Sequence, residues 1–306
     1  EAREALNEIQ RLMVEDGFSL RDCVITYRVN AQSRALEEAC IRNGIPYKLV
    51  GGVRFYQRRE IKDLLGYLRL IQNPYDEISL ERIINVPSRA IGKRTFDDLI
   101  NWSRMLEIPP YTALQLLKSE SPSLQSPFNN RQQKQLIEFV SLINNFKDQA
   151  NEIELPKLID AVMDQTGYKN YLLQSDEPDA EDRLDNIREI RGLATDFNGV
   201  IATESLPSFL ENATLVSEQD SLEETEQQYL TLITLHQIKG LEYPIVFVVG
   251  MEEGLLPHVR SIDDPAQMEE ERRLAYVGIT RAQSHLYLLR SARRRMYGVT
   301  NPTIAS

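Results

Sequence analysis

The chain has 306 residues, a hydrophobic content of 42% and a formal net charge of −11. This length suits one large domain or two ordinary domains with a substantial core. No apolar run reaches the ~18–20 residues that a membrane span needs, and the acidic balance excludes a globally basic nucleic-acid binder.

The basic residues are nevertheless grouped along the chain. Because salt screens charges beyond about 10 Å, an acidic protein can still hold a phosphate backbone where such groups share one face. Scattered, solvated arginines are the alternative interpretation. The three groups are Arg54, Arg58, Arg59 and Lys62; Arg89, Lys93 and Arg94; and Arg290, Arg293, Arg294 and Arg295.

The chain begins at Glu1, without a leader-like segment, and we expect it to be an internal piece of a longer protein. Cys23 and Cys40 are its only cysteines. One falls in a predicted strand and the other in a predicted helix. This favours reduced, buried thiols and a cytoplasmic location over a disulfide.

The first fifty residues predict a strand–helix–strand unit of an α/β sheet. The run DCVITY is apolar between turn signals, which is typical of a buried parallel strand. An amphipathic helix precedes this strand, and another helix and a second strand follow it. The predicted ranges are helix 1–15, strand 22–27, helix 31–43 and strand 46–50.

Helical periodicity dominates from Gly51-Gly52 to about residue 226. Polar, proline-containing loops are predicted at 121–123 and 176–179, and the acidic run 218–226 predicts a solvated linker. The predicted helices are 59–71, 79–85, 95–105, 112–118, 131–146, 155–165 and 181–197.

The strand pattern returns near Tyr229. The runs 230–235 and 245–250 predict adjacent buried strands, and 285–289 predicts a further strand. Residues 268–277 predict a helix whose first turn, Glu269 to Glu271, complements the helix dipole. The fold class is therefore α/β, with a parallel-sheet domain interrupted by a large all-helical insertion.

The segment TLHQIKGLE, residues 234–242, leaves a predicted strand and enters a glycine-containing turn. Ligands bind at the carboxyl ends of strands in parallel sheets, so we expect His236, Lys239 and Glu242 at one active edge. Lysine and histidine can hold phosphates, and a carboxylate can accept from a ribose hydroxyl or order a metal shell. An ordinary polar turn is the alternative.

Arg281 ends the segment VGITR at the predicted end of a helix. A guanidinium aimed at a γ-phosphate stabilises the charge that develops in phosphoryl transfer. A surface arginine is the alternative.

The segment RAIGKRT, residues 89–95, connects two predicted helices. Gly92 permits close approach of a partner, and the following helix start, with Lys93, Arg94 and Thr95, would form a phosphate site. The alternative is a capped turn with Thr95 as the N-cap.

A phosphate-loop motif and two common metal-binding spacings are absent from the sequence. It contains no G-x-x-x-x-G-K-[ST] phosphate loop and no H-E-x-x-H or C-x-x-C metal spacing. ATPase chemistry of the phosphate-loop type therefore cannot be completed within this chain.

Four blocks together resemble the C-terminal half of UvrD/PcrA/Rep-type superfamily 1A DNA helicases. They span nearly the whole chain in the family's order. They are YRVNAQSR at 27–34, VGGVRFYQRREIKD at 50–63, INVPSRAIG at 84–92, and the stretch 231–282, which is similar to helicase motifs V and VI.

The resemblance implies that residues 1–50 and 225–306 form part of the second RecA-like motor domain, 2A, and that 51–224 form the helical insertion, 2B. It implies that Glu242 and Arg281 face ATP, with Arg281 catalytic. The positions that it implies for DNA binding are Arg28, Asn30, His236 and Lys239 for the single strand, and Lys62, Ile91, Gly92 and Thr95 for the duplex.

The chain also departs from the family pattern. The first motor domain, with its phosphate-binding lysine and magnesium-holding acids, and motif IV are expected upstream of residue 1. The family's duplex-binding turn is usually Gly-Ile-Gly, whereas this chain has Ala90 in the first place. If that position needs a positive φ or touches a phosphate, alanine weakens the contact.

Three functional hypotheses follow from the resemblance. The first is a fragment of an ATP-driven 3′→5′ DNA helicase that uses ATP and Mg²⁺ in the parent enzyme and binds single-stranded and duplex DNA. The first motor domain in cis and repair or replication proteins are the expected partners. The second is a non-catalytic duplex-DNA or protein-binding module, for the chain by itself. The third is a nuclease-coupled relative of the AddA or RecB type.

Overall fold

The computed structural model describes residues 1–118, 126–174, 180–219 and 228–306. The described chain divides into two compact units, one formed by residues 1–58 and 214–306 and the other by 59–213. The loops predicted at 121–123 and 176–179 lie outside the described residues, as does the acidic linker apart from its first two residues. The domain boundaries predicted at 50/51 and 224/225 stay predictions.

The first unit is built on a sheet of five parallel strands in the order β2-β3-β1-β4-β5. All five residues of β1 are buried, as expected for a strand covered on both faces. This confirms the predicted α/β class. The strands are β1 (Cys23–Tyr27), β2 (Tyr47–Val50), β3 (Leu230–Thr234), β4 (Tyr243–Val249) and β5 (Ala282–Leu289).

The prediction that the strands 230–235 and 245–250 are adjacent is wrong. β1 lies between β3 and β4 and pairs with both of them. Two parallel strands that follow each other in the chain are joined by a crossover connection, which need not lead to the neighbouring strand. Here the connection from β3 to β4 crosses β1, which lies between them. Apolar runs by themselves carry no information on which strand occupies the middle of a sheet.

Three helices of the first unit cover its sheet: α1 (Ala2–Glu15), α2 (Ser33–Arg42) and α12 (Pro265–Ile279). Leu6, Ile9 and Leu36 from α1 and α2 pack with one face of the sheet. The other face carries a cluster of Val24, Ile233, Leu235, Ile238, Val246, Val248 and Leu256, against which Ala275 and Val277 of α12 pack.

A two-stranded antiparallel hairpin near the C-terminus was not predicted. Its strands are β6 (Arg293–Met296) and β7 (Val299–Pro302). The turn places Tyr297 and Gly298 at φ 55° and 82°, the positive values that a type I′ hairpin requires. The sequence contains no Asn-Gly or Asp-Gly pair there to signal this turn.

The second unit is helical. Its helices bury the stripes predicted for 59–71 and 131–146, including Leu64 and Leu68 of the first and Phe139 and Ile143 of the second. Two of its helices, α9 and α11, were not predicted individually. The helices are α3 (Arg59–Gln72), α4 (Glu77–Ile83), α5 (Lys93–Met105), α6 (Pro110–Leu116), α7 (Asn130–Ala150), α8 (Leu155–Gln165), α9 (Tyr168–Leu173), α10 (Ala180–Ala194) and α11 (Ala202–Gln219).

Helix α12 starts earlier than predicted. Asp264 is its N-cap and accepts hydrogen bonds from the N–H groups of Ala266 (2.9 Å) and Gln267 (3.3 Å), and proline occupies the first helical position. The prediction that Glu269 to Glu271 form the first turn is therefore wrong. Glu271 lies in the second turn and is buried.

In the described ranges, none of the helices is long and apolar enough to cross a membrane.

Candidate nucleotide and nucleic-acid sites

The carboxyl ends of β1 and β3 bring three predicted DNA-binding residues to one edge of the sheet. Tyr27 and Thr234 are register partners, and the Leu235 N–H donates to the Tyr27 carbonyl at 2.8 Å. Arg28 and His236 therefore leave neighbouring strands at the same edge, and Asn30 begins the short helical turn that follows β1. His236 and Lys239 are exposed.

Arg28 makes a contact that the sequence did not predict. Its Nε donates to both carboxylate oxygens of Glu271 (3.1 and 2.9 Å), and its Nη2 donates to Glu271 Oε1 at 2.6 Å. The Arg28 side chain is 19% exposed and that of Glu271 only 4%. This bidentate, largely buried pair fixes the orientation of the guanidinium beside the predicted single-strand path.

The environment of Glu271 keeps its carboxylate charged. Burial raises its pKa, but the hydrogen bonds and charge of Arg28, together with the N–H of His258 (3.1 Å), outweigh burial and hold the pKa below the ordinary value. A signal for this residue was available in the sequence. Glu271, Leu274 and Gly278 have helical spacing, and all three are the buried residues of α12.

Glu242 lies at the amino ends of the strands, whereas the prediction placed it at their carboxyl ends. It immediately precedes Tyr243, the first residue of β4, whereas His236 follows the end of β3. The expectation of a single active edge for His236, Lys239 and Glu242 is therefore wrong. The physical reason is the parallel pairing of β1 with both strands, since the link 235–242 must return to the amino end of the sheet.

Glu242 and Arg281 are instead neighbours at the amino end of the sheet. The Tyr243 N–H donates to the Arg281 carbonyl at 3.0 Å. Glu242, the residue before the donor, therefore lies next to the acceptor residue, Arg281. Glu242 is exposed and accepts a long hydrogen bond from Gln283 Nε2 at 3.5 Å. Topology thus brings together the two residues that the resemblance assigns to ATP.

The Arg281 side chain is partly buried against the C-terminal end of α12, the helix that precedes it. Its Nε donates to the Val277 carbonyl at 3.1 Å, and its Nη2 donates to Thr280 Oγ1 at 3.0 Å. Both acceptors are neutral, so these bonds orient the guanidinium without neutralising its charge. An arginine held in this way can face an anionic ligand at little cost in side-chain entropy.

In the second unit, the loop between α4 and α5 is held by one amide side chain. Asn85 Oδ1 accepts from the N–H groups of Arg89 (2.8 Å) and Ile91 (3.1 Å). The Arg89 side chain turns back and donates to the carbonyl of Ile83 at 3.0 Å. Ile91 is 2% exposed and anchors the loop in the core.

Ala90 adopts φ 56°, a left-handed conformation that favours glycine. The sequence predicts that alanine is unfavourable here if this position needs a positive φ, and the backbone of Ala90 does have a positive φ. Alanine occupies it with a steric penalty of about 1–2 kcal/mol.

The alternative reading that made Thr95 the N-cap of α5 is wrong. Gly92 is the N-cap, and Thr95 occupies the third helical position, where its Oγ1 accepts from Gln132 Nε2 at 3.1 Å. Gly92 has no side chain to cap the helix, and among the described residues other than its chain neighbours no atom lies within 4 Å of the point where a Cβ would be. Lys93 and Arg94, the first two residues of α5, are exposed, and a helix start that carries basic side chains can bind an anion.

The last predicted DNA-binding residue is Lys62, and a metal ion would need a group of side chains placed to hold it. Lys62 is partly exposed on α3, near the start of the second unit. In the described parts of the chain, no group of three or more His, Cys, Asp or Glu side chains is placed to hold a metal ion.

The fold and these blocks belong to a known family. The family model described as "UvrD-like helicase C-terminal domain" matches residues 1–293, and the chain is a member of that family.

Its similar relatives are helicases by name. The chain is 40% identical to the ATP-dependent DNA helicase UvrD1 of Mycobacterium tuberculosis, over 97% of this chain and 40% of that protein. It is 37% identical to the ATP-dependent DNA helicase PcrA of Bacillus subtilis, over 98% of this chain and 41% of that protein. It is 38% identical to PcrA of Staphylococcus aureus, over 97% of this chain and 40% of that protein. The chain thus spans about two fifths of the length of these relatives.

Proposed function

We propose that this chain is the C-terminal part of an ATP-dependent 3′→5′ DNA helicase. Residues 1–50 and 225–306 would form motor domain 2A, and 51–224 the insertion 2B. The observation that carries the proposal is Arg281, which is oriented by neutral acceptors and lies beside Glu242 in a member of this helicase family. The 3′→5′ polarity rests on the resemblance to UvrD, PcrA and Rep.

At the nucleotide site, Arg281 contacts the γ-phosphate and stabilises the charge that develops during phosphoryl transfer. Glu242 accepts hydrogen bonds from the nucleotide or orders its metal shell. Bound Mg²⁺–ATP supplies the phosphoryl group and the metal charge, and the first motor domain provides the phosphate loop. An arginine in this role contributes about 10³–10⁵-fold in rate.

At the DNA sites, the two units have different tasks. Arg28, Asn30, His236 and Lys239 hold the backbone of the single strand. In the second unit, the Ile91-Gly92 turn with Lys62 and Thr95 binds the duplex, since the start of α5 offers N–H groups and basic side chains to a phosphate. The proposed partners are DNA, the first motor domain in cis, and repair or replication proteins in the cytoplasm.

The test is Arg281→Ala in the full-length helicase. We expect loss of DNA-stimulated ATP hydrolysis with DNA binding retained, because the guanidinium acts on the transition state rather than on DNA. Arg272→Ala is the matched control, since Arg272 is an exposed arginine of α12, the helix that precedes Arg281, and pairs with Glu269 at 2.6 Å. DNA-stimulated turnover that survives Arg281→Ala would sink the assignment.

A second candidate function concerns the chain by itself. The open N-terminus of α5 favours a non-catalytic duplex-binding module, and without a phosphate loop we expect ATP hydrolysis by the isolated chain to be undetectable. Binding to forked DNA should weaken as salt rises, because phosphate contacts release counterions.

Lys93→Ala should reduce the slope of log K against log salt by about 1. Lys118→Ala, at an exposed lysine beyond the end of α6, is the control and should leave the slope unchanged. A flat salt response of the wild-type chain would contradict phosphate contacts altogether.

A further inference from the structure

The segment 51–58, which leads from β2 to the start of α3 and is called the junction segment here, contacts both turns that carry proposed single-strand residues. One turn follows β1 and begins at Asn30, and the other follows β3 and carries His236 and Lys239. The junction segment reaches the first turn through the side chain of Arg58 and the second through the carbonyl of Gly51. All of these residues belong to the first compact unit.

Arg58 is buried, although its place in a basic group of the sequence made it a candidate for holding a phosphate backbone. The residue is only 8% exposed. Its Nη1 donates to the Asn30 carbonyl at 3.2 Å, and its Nη2 donates to Ser33 Oγ at 2.7 Å. Its Nε donates to the Val53 carbonyl, within the junction segment, at 3.1 Å. The guanidinium therefore fastens the Asn30 turn to the junction segment.

The buried charge of Arg58 is compensated by Glu37. This carboxylate is 2% exposed and lies 3.9 Å from Arg58 Nη2. It also accepts from Ser33 Oγ at 2.6 Å and from the Phe55 N–H at 3.0 Å. Removing one partner of a buried ion pair leaves the other charge uncompensated and is strongly destabilising. A test variant of Arg58 must therefore keep a positive charge at this position.

The second turn is joined to the junction segment by the amide of Gln237, the residue that follows His236. Its Nε2 donates to the Gly51 carbonyl at 2.8 Å, and its Oε1 accepts from Thr234 Oγ1 at 3.2 Å. Gly51 has φ 69°, and a Cβ there would collide with the Gln237 amide. Both polar atoms of this side chain are thus bonded within the protein, between the end of β3 and the first residue of the junction segment.

We propose that Arg58 and Gln237 are positioning residues for single-strand binding. Arg58 fixes the turn that begins at Asn30, and Gln237 fixes the turn that carries His236; neither positioning side chain contacts DNA. This inference rests on the proposed function, because it assigns support to single-strand residues named there. The physical reason is that a loop ordered only on binding loses conformational freedom at that moment, whereas a loop fixed beforehand avoids that cost and binds more tightly.

The first experiment uses Gln237→Met in the full-length helicase, which keeps the length of the side chain and removes both bonds. The dissociation constant for a fluorescent single-stranded oligonucleotide should rise more than twofold and up to about tenfold, the range that the net loss of one hydrogen bond corresponds to. The DNA concentration that half-saturates ATP hydrolysis should rise equally, with the rate at saturating DNA unchanged. Gln10→Met, at an exposed glutamine of α1, is the matched control and should change neither quantity.

The second experiment uses Arg58→Lys, which keeps the charge beside Glu37. An ammonium group lacks the planar fork that reaches three acceptors at once, so the affinity for the oligonucleotide should again fall more than twofold. If Arg58 instead held a phosphate as a point charge, lysine would replace it with little loss. Arg42→Lys is the matched control, because the Arg42 side chain is 77% exposed and pairs with Glu38 at 3.3 Å.

Hydrogen exchange in the absence of DNA separates positioning from direct contact. The Ile238 N–H, which bonds to the Thr234 carbonyl at 3.1 Å, should exchange faster in Gln237→Met. The Gln32 N–H, which bonds to the Val29 carbonyl at 3.0 Å, should exchange faster in Arg58→Lys. A Gln237 side chain that acted only by touching DNA would leave the exchange of the DNA-free protein unchanged.

The inference is overturned by oligonucleotide affinities within twofold of wild type, by unchanged exchange, or by a saturated ATPase rate that falls together with the affinity, which indicates general structural damage. Because Gln237 is exposed, its replacement decides the matter even where Arg58→Lys does not fold. A wild-type helicase that does not bind single strands would instead contradict the proposed function.

Discussion

Replacing Ala90 by glycine should stabilise the second unit. Ala90 has φ 56°, where an L-residue with a Cβ is disfavoured by about 1–2 kcal/mol. Glycine removes this penalty but loses roughly 0.5–1 kcal/mol through the greater freedom of the unfolded chain. Taken at the midpoints of the two ranges, about 1.5 and 0.75 kcal/mol, the expected net gain is about 0.75 kcal/mol.

The loop cannot avoid this conformation by a small rearrangement. The N–H groups on both sides of Ala90, those of Arg89 and Ile91, bond to the same Asn85 oxygen at 2.8 and 3.1 Å. Ile91 is also buried in the core. The folded state therefore keeps the unfavourable backbone conformation at Ala90, and replacing Ala90 by glycine should remove its energetic cost.

Trp102 provides the assay. It is the only tryptophan of the sequence and lies in α5, directly after this loop, where it is 6% exposed and packs edge-to-face on Phe128. Its fluorescence therefore reports unfolding of the second unit. For a unit of this size, 1 kcal/mol shifts the melting temperature by about 2–4 °C, so Ala90→Gly should raise the transition by about 1–4 °C.

The control is Ala161→Gly in α8, a helix interior with an ordinary backbone. The same substitution there should lower the transition, since glycine costs about 0.5–1 kcal/mol in a helix. An unchanged or lower transition for Ala90→Gly, with Ala161→Gly behaving as expected, would refute the reasoning from the left-handed backbone.

Two further predictions concern polar groups that hold the predicted sites. Asn85→Ala should destabilise the second unit by about 1–3 kcal/mol, because the N–H groups of Arg89 and Ile91 lose their acceptor; a Trp102 transition equal to that of the wild type would contradict this. Glu271 has a pKa below its ordinary value of 4.5, so the stability from its ionised form is present above that value and is lost as the pH falls through the lower, folded-state pKa. Calorimetry of Glu271→Gln should therefore show a first-unit transition that is lower near neutral pH and depends less on pH below 4.5 than that of the wild type, and parallel pH profiles would contradict the role of the ion pair.

Much of the fold was readable from local patterns. The apolar runs at 22–27, 46–50, 230–235, 245–250 and 285–289 correspond to the five strands of the sheet. Hydrophobic periodicity and short apolar runs are properties of residues close together in the sequence, so they can be recognised without knowing which surfaces pack together. The family resemblance was likewise carried by contiguous blocks of sequence.

The order of the strands and the grouping of the site residues were decided by tertiary structure. β1 lies between β3 and β4, and this places Glu242 beside Arg281 and away from His236. Strand order depends on which strands pair across distant parts of the chain, and no local pattern records that pairing.

The amino-acid sequence is enough to predict the fold class, the blocks of the helicase family and the residue types that could meet phosphates. The three-dimensional structure is needed to show that Glu271 is a buried partner of Arg28 and that Gly278 lies against Leu235. The helical spacing of Glu271 with Leu274 and Gly278 indicates one face of α12, but it does not reveal the distant guanidinium that compensates the burial of a glutamate on that face. The sequence does not show why residue 278 is a glycine, because the side chain that a Cβ would meet there, Leu235, is distant in the sequence.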